Sequence, residues 1–311
     1  LGAAMCQLGE SARGRDYLRQ SLALEPDHVE TLINFGKVSG QLRAVADAAR
    51  AFARAAELEP SNADAHFCQA TIASDCELHP QALGHYSQVL ALDPSHQGAW
   101  RGAGFSAMQI GQSEDALGFY DQALRIKPDD LEARCNRGAL LAGLGRYVQS
   151  LEDFSAAVDL DPQHAVAWNN RALALKELGY VDEAIASADR AVTLDPAYAD
   201  AWSNRGNIQL LLGKPHAAQA DYERALALDP GHKNARFNLS MVLMQVGRLA
   251  EGLALYEERR QRGVLAHRRR RHDRVLVDLA DRRRDLGFGR AACHVAEPGA
   301  RIQPRRRPKL R

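Results

Sequence analysis

Asparagine recurs on a single 34-residue register in this chain, at Asn34, Asn136, Asn170, Asn204 and Asn238, the last four in consecutive steps. Each asparagine side chain offers two N–H donors and a carbonyl acceptor without carrying charge. A row of them could hold the backbone of an extended peptide without reading its side chains. The alternative for the same residues is to bond the adjoining unit of the repeat, or water. One position further on stand Arg137, Arg171 and Arg205. Their guanidinium groups could add charge-assisted bonds to a ligand, or lay their stems along a neighbouring helix and keep the heads wet.

No other constellation competes with this row. Cys76, His79 and His85 lie close together beside Cys68, but their spacing fits no zinc pattern. The eleven histidines are otherwise dispersed, and no Ser/His/Asp or paired-carboxylate arrangement stands out. Gly287-Phe288-Gly289 is a fragment of a phosphate-loop pattern with no strand before it. The sequence therefore predicts no catalytic residue, no metal site and no cofactor. It reads as a binding protein and not an enzyme.

Regularly spaced elements must present such a row, and proline marks them. Pro26, Pro60, Pro94, Pro128, Pro162, Pro196 and Pro230 are each 34 residues apart, the signature of a repeat array. With the proline at the thirty-second place, full repeats begin at Val29, Ala63, Gln97, Leu131, Ala165 and Ala199. Leu1 falls at the seventh place of a first, shortened repeat, and a last one begins at Lys233 and degrades after Tyr256. Within 165–198 the apolar residues Trp168, Ala172, Leu175 and Leu178 form one stripe at helical spacing. Gly179 then predicts a left-handed helix terminus, as do Gly111, Gly145, Gly213 and Gly247. A second helix follows, turned inward by Ala184, Ile185, Ala188, Ala191 and Val192, and Pro196 ends it. Arg43 and Glu77 occupy the place of the glycine in two repeats. One helix pair cannot bury its own apolar face, but a stack of pairs can.

Side chains at three further places fit a stack. Gly36, Ala70, Gly104, Gly138, Ala172 and Gly206 are small at the eighth, and Ala48, Ala82, Ala116, Ala184 and Ala218 at the twentieth. Phe52, Tyr86, Tyr120, Phe154, Tyr222 and Tyr256 at the twenty-fourth are expected to fill the gap between pairs. With Trp100, Trp168 and Trp202 at the fourth, this pattern resembles the tetratricopeptide repeat over about residues 1–260. The resemblance implies an all-α, right-handed superhelical solenoid of antiparallel helix pairs, whose first helices line a concave groove. It implies a scaffold for protein or peptide partners, and places Asn34, Asn136, Asn170, Asn204 and Asn238 in the groove. The sixth place lies about 200° round the helix from the buried eighth. Glu30, Asp64, Glu132 and Asp200 at the second place would repel a terminal carboxylate, so a basic or neutral ligand suits the groove better.

The last repeat, ARFNLSMVLMQVGRLAEGLALYEERRQRG, also looks like the terminal repeat of bacterial proteins that continue into an O-linked N-acetylglucosamine transferase-like domain. Members of that group carry a similar asparagine row. The second reading of the chain is accordingly the substrate-recognition arm of such an enzyme, its catalytic domain missing here. The chain divides into an array over 1–262 and a tail over 263–311. Residues 261–311 hold 16 Lys and Arg against 5 Asp and Glu, although the whole chain has a net charge of +1. Arg268–Arg271 and Arg305–Arg307 could bind nucleic acid or an anionic surface, but no aromatic platform accompanies them. Two readings fit the tail: a disordered basic end, or an out-of-frame read of a GC-rich gene. No apolar run reaches the roughly 18 residues of a membrane span, and five scattered cysteines fit a reducing, cytoplasmic setting.

Overall fold

In a computed structural model the described residues are 10–257, and among these every regular element is an α-helix. The helices are α1 (Ser11–Leu24), α2 (Val29–Gln41), α3 (Val45–Leu58), α4 (Ala63–Asp75), α5 (His79–Leu92), α6 (Gln97–Gln109) and α7 (Ser113–Ile126). They continue as α8 (Leu131–Gly143), α9 (Tyr147–Leu160), α10 (Ala165–Glu177), α11 (Val181–Leu194), α12 (Ala199–Leu211), α13 (Pro215–Leu228) and α14 (Lys233–Gln245). The chain is helical again over 249–257. The described residues up to Leu253 form one compact unit, to which helices α1 to α14 all belong. Cys6, Cys293, the shortened first helix and the tail beyond 262, with its arginine clusters and glycine fragment, lie outside the described residues.

Each even-numbered helix from α2 to α14 opens a repeat, and the odd-numbered one after it closes the pair. Every helix packs on the next, and opening helices also touch the opening helices of adjoining repeats, as α10 does with α8 and α12. This architecture is the all-α solenoid of helix pairs that the period predicts. The stripe of 165–198 is inward as expected: Ala172, Leu175, Ala184, Ala188, Ala191 and Val192 are buried. The tightest rungs sit at two further places, of which the sequence reading singles out only Ala191. Ala65, Ala99, Ala133, Ala167, Ala201 and Ala235 at the third place are at most 1% exposed. Ala55, Val89, Ala123, Ala157, Ala191 and Ala225 at the twenty-seventh are wholly buried. Helices can approach this closely only where the side chain stops at Cβ or little beyond it.

The twenty-fourth-place aromatics pack within their own pair as well as toward the next one: the Tyr120 and Tyr222 side chains reach Asn136 and Asn238 of the following repeat. A Cβ added to Gly36 would collide with the Phe52 ring, and one at Gly206 would stand 2.7 Å from the Tyr222 ring. Phe52, Tyr120, Phe154 and Tyr222 therefore lie on the glycine of their own pair. Where the eighth place is Ala172, the twenty-fourth is Ala188, and no ring is present to accommodate. Tyr86, facing Ala70, leans instead over Gly102 of the next repeat, where a Cβ would collide with its ring.

Backbone capping follows the same period. The fourth-place side chain donates an N–H to the carbonyl of the preceding proline, six residues back. Trp100, Trp168 and Trp202 do so through Nε1 at 2.8, 3.1 and 3.0 Å. Arg134 reaches Pro128 at 2.9 Å, Arg236 reaches Pro230, and the His66 Nε2 pairs with Pro60. Six repeats thus place an N–H donor on a long side chain here, aromatic or not, while the repeat at 29–62 has the buried Leu32 instead. At the thirty-fourth place His28, His96, His164 and His232 accept the N3 amide through Nδ1, and Asn62 and Asp130 do the same with oxygen. Side-chain acceptors at this position satisfy amides that the first helical turn leaves unpaired. Part of the scattered histidine content is explained in this way.

Gly111, Gly145, Gly179, Gly213 and Gly247 have φ between +68° and +88°, and Arg43 and Glu77 adopt +56° and +60°. All seven sites close the same six-to-one turn, for example Ala44 N–H to Ser39 O and Leu78 N–H to Ala73 O, both 2.8 Å. A side chain in the left-handed region costs about 1–2 kcal/mol. Arg43→Gly and Glu77→Gly are therefore each expected to stabilise the chain by roughly 1 kcal/mol, less the entropy glycine returns to the unfolded state. Chemical denaturation would register this as a higher midpoint at unchanged slope; a lower midpoint for both would contradict the assignment of strain.

Candidate functional site

The opening helices carry the asparagine row. Asn34, Asn136, Asn170, Asn204 and Asn238 are all half-buried, neither core nor fully solvated. The sixth place thus borders the side of the helix that the stack leaves open. Its neighbours at the second place, Glu30, Asp64, Glu132 and Asp200, are exposed. Asn136 lines a cavity of about 580 Å³ with Glu132, Cys135, Arg101, His164 and Val166. Burial pushes the Cys135 thiol up to about 11, with Asp153, Asp130 and Glu132 adding to the effect. That thiol is a neutral wall of the cavity and a poor nucleophile.

The asparagines are also tied to one another through residues outside the row. Asn204 Nδ2 donates to Asn169 Oδ1 across the repeat boundary at 2.9 Å. Asn169 is 3% exposed and its Nδ2 donates to Asn170 Oδ1 at 3.2 Å. One repeat on, Asn238 Nδ2 and the Tyr222 hydroxyl both donate to Asn207 Oδ1 at 2.7 Å. Asn204 and Asn238 therefore bond the adjoining repeat, while their side chains remain partly exposed. Asn169 and Asn207, at the fifth and ninth places, are members of this ladder that sequence reasoning misses. No period marks them, since each occurs in one repeat only.

Arg137, Arg171 and Arg205 face inward, between helices. Arg205 Nε and Nη2 grip the Asp221 carboxylate at 2.9 and 2.5 Å, while Nη1 reaches Asp189 at 3.0 Å. Arg137 repeats this with Asp153 at 2.8 and 2.6 Å and Asp121 at 2.5 Å. Asp153 and Asp221 are 1% and 3% exposed. The hydrogen bonds donated to Asp153 and Asp221 raise both guanidinium pKa values above the ordinary arginine range. Arg171 meets Ser155 at 3.2 Å and Ser187 at 2.7 Å instead, and its guanidinium lies 5.6 Å from the Trp168 ring centre. Each of these arginines bridges the closing helix of the preceding repeat to that of its own. The structure thus gives all three a place in the stack, where the sequence also allows them a ligand. The spacing signal was present: both carboxylates of a pair stand 16 residues from their arginine.

Cys76, His79 and His85 do not converge with Cys68, and among the described residues no group of three or more His, Cys, Asp or Glu could hold a metal ion. No helix of the described residues is long and apolar enough to cross a membrane.

Family models described as tetratricopeptide repeat match residues 77–130, 135–201 and 199–232. The chain carries tetratricopeptide repeats. Solved structures with the same fold include a chain of the APC/C hetero-tetramer Cut9-Hcn1, 18% identical with a TM-score of 0.64 over 78% of this chain. The match spans 48% of that chain, so this sequence corresponds to about half of it. A tetratricopeptide repeat protein from Parabacteroides merdae is 19% identical, with a TM-score of 0.59 over 78% of this chain and 96% of its own. YrrB, described as a tetratricopeptide protein with an unusual peptide-binding site, is 26% identical with a TM-score of 0.53, over 60% of this chain and 96% of its own. No curated protein matches the sequence.

Proposed function

We propose that the chain is a protein-interaction scaffold that holds an extended peptide segment along its opening helices, with Asn136, Asn170, Asn204 and Asn238 bonding the partner's backbone. The observation that carries this reading is the half-exposed amide row on consecutive opening helices, pinned by the Asn204–Asn169 and Asn238–Asn207 bonds. Amides held in place this way lose less side-chain entropy when a ligand arrives. The peptide site named for YrrB supports the same use of the fold. Exposed Glu30, Asp64, Glu132 and Asp200 favour a neutral or basic segment. Arg137, Arg171 and Arg205 keep the groove's shape by holding the stack.

The test uses dodecamer peptides selected on the wild-type chain by phage display, then labelled and titrated by fluorescence anisotropy. Asn136→Ala with Asn170→Ala leaves the Asn204–Asn169 bond in place, so helicity by circular dichroism should not change. Loss of two backbone contacts at about 1 kcal/mol each is expected to weaken capture by roughly tenfold or more. Unchanged affinity with every selected peptide would sink the assignment.

A further inference from the structure

Toward its N-terminal end the row of opening helices changes character. The sixth place is Cys68 and then Gly102, with no asparagine. Between α2 and α4 lies a trough of about 510 Å³ whose apolar lining is Phe52, Phe67, Cys68 and Ile72. It is open because α2 presents Gly36 and Gly40 to it. A Cβ at Gly36 would strike the Phe52 ring, whereas one at Gly40 would meet Ile72 Cδ1 at an ordinary 3.4 Å. Phe67 packs on His96, which also lines the trough, with ring centres 4.5 Å apart. Cys68 is 7% exposed, and burial pushes its pKa up to about 11, with Lys37 and Asp64 acting on it in opposite directions. It is a neutral part of the apolar lining.

Charge stands at the two ends of the trough. Asp64 and Asp75 line it from α4 and Lys37 from α2, all three exposed, and none has an ion-pair partner among the described residues. Arg54, Arg101, Arg137 and Arg205 each meet a carboxylate, whereas Asp64 and Asp75 have no cation within ion-pair distance among the described residues. They are separated by 11 residues of one helix, a rise of about 16 Å at 1.5 Å per residue. An extended peptide covers that distance in about five residues, at roughly 3.3 Å each.

We infer that this trough is a specificity pocket for an extended peptide carrying one bulky apolar side chain between two basic residues four or five positions apart. The apolar side chain enters between Gly36 and Gly40 on one wall and Phe67 and Ile72 on the other, and the cations meet Asp64 and Asp75. The inference rests on the scaffold reading, but on residues separate from the asparagine row, so each stands or falls separately.

The probe is a labelled peptide, Gly-Lys-Gly-Phe-Gly-Lys-Gly, titrated into the full chain by anisotropy at low salt, beside versions with Ser for Phe and Glu for both Lys. Tighter binding of the first peptide, by about tenfold over the serine version and more over the glutamate version, is expected. Asp64→Asn with Asp75→Asn should weaken it by about tenfold and flatten its salt dependence. Gly40→Leu, which fills the trough from a helical position that leucine favours, should abolish binding without lowering the melting temperature. Equal affinity for the phenylalanine and serine peptides, or unchanged affinity in both variants, overturns the pocket. If Asn136→Ala with Asn170→Ala removes binding of this peptide while the trough variants keep it, the pocket is overturned and the asparagine reading survives. The reverse result supports the pocket alone.

Discussion

Arg205→Leu is expected to destabilise the chain by about 3–5 kcal/mol, because it leaves a carboxylate buried without its cation. Asp221 is 3% exposed, and Arg205 is the arginine that bonds both of its oxygens. Loss of the guanidinium also removes its contact with the Trp202 ring, 4.6 Å away, and the bond to Asp189 that ties the preceding repeat. The chain contains its own controls. Arg137→Leu strands Asp153 in the same way, but Arg134 Nη1 still lies 3.4 Å from that carboxylate, so the cost should be smaller. Arg171→Leu strands only the hydroxyls of Ser155 and Ser187, and Ser187 also donates to the Glu183 carbonyl; roughly 1–2 kcal/mol is expected. The order Arg205 above Arg137 above Arg171, measured from denaturation midpoints, is the prediction. Equal costs for the three would mean that the arginines act through packing and not through the buried charge. Adding Asp221→Ala to Arg205→Leu should restore part of the loss, since it is the unpaired charge that is costly.

These arginines also show how far the sequence could be read. The period fixes every helix, because proline, the left-handed glycine and the apolar stripe each recur in register and each has a local cause. Arg43 and Glu77 break the glycine pattern in composition yet keep the left-handed geometry, since the six-to-one turn is dictated by the helices on both sides. Partners across the stack are a different matter. Arg205 finds Asp189 one repeat back and Asp221 in its own closing helix; both lie 16 residues away in sequence, a separation that reflects how closing helices lie side by side. Asn204 finds Asn169, 35 residues away. Periodicity says which residues occupy equivalent places. It does not say which places touch, and a polar side chain near the sixth place can turn toward the partner or the next repeat with little difference in exposure. The asparagine row was therefore legible as a row, and its coupling through Asn169 and Asn207 was not.

Phe154→Ala is expected to cost about 3–5 kcal/mol, the range for removing a buried ring whose surroundings relax only partly. Phe154 is 1% exposed and carries no polar atom, so the loss is one of packing alone. Its ring lies against Gly138, where an added Cβ would stand 3.1 Å from two ring carbons and 3.2 Å from the Asp153 Cβ. Gly138→Ala by itself is accordingly expected to destabilise by about 1 kcal/mol, overpacking outweighing the helix propensity that alanine gains over glycine. Together the two substitutions recreate the Ala172 and Ala188 pairing that the repeat at 165–198 uses natively, with both residues at most 1% exposed. In the double variant the new methyl occupies space the ring has vacated, and its strain disappears while the propensity gain remains. The double variant should therefore be more stable than Phe154→Ala alone, by roughly 1 kcal/mol, with a coupling energy of about 1–2 kcal/mol between the sites. Strict additivity would mean that the ring and the glycine do not press on each other, and that small eighth-place residues serve the adjoining repeat instead. Because each pair contacts only its neighbours, hydrogen exchange should show the loss concentrated in α8, α9 and the helices flanking them, with α2 and α3 little changed.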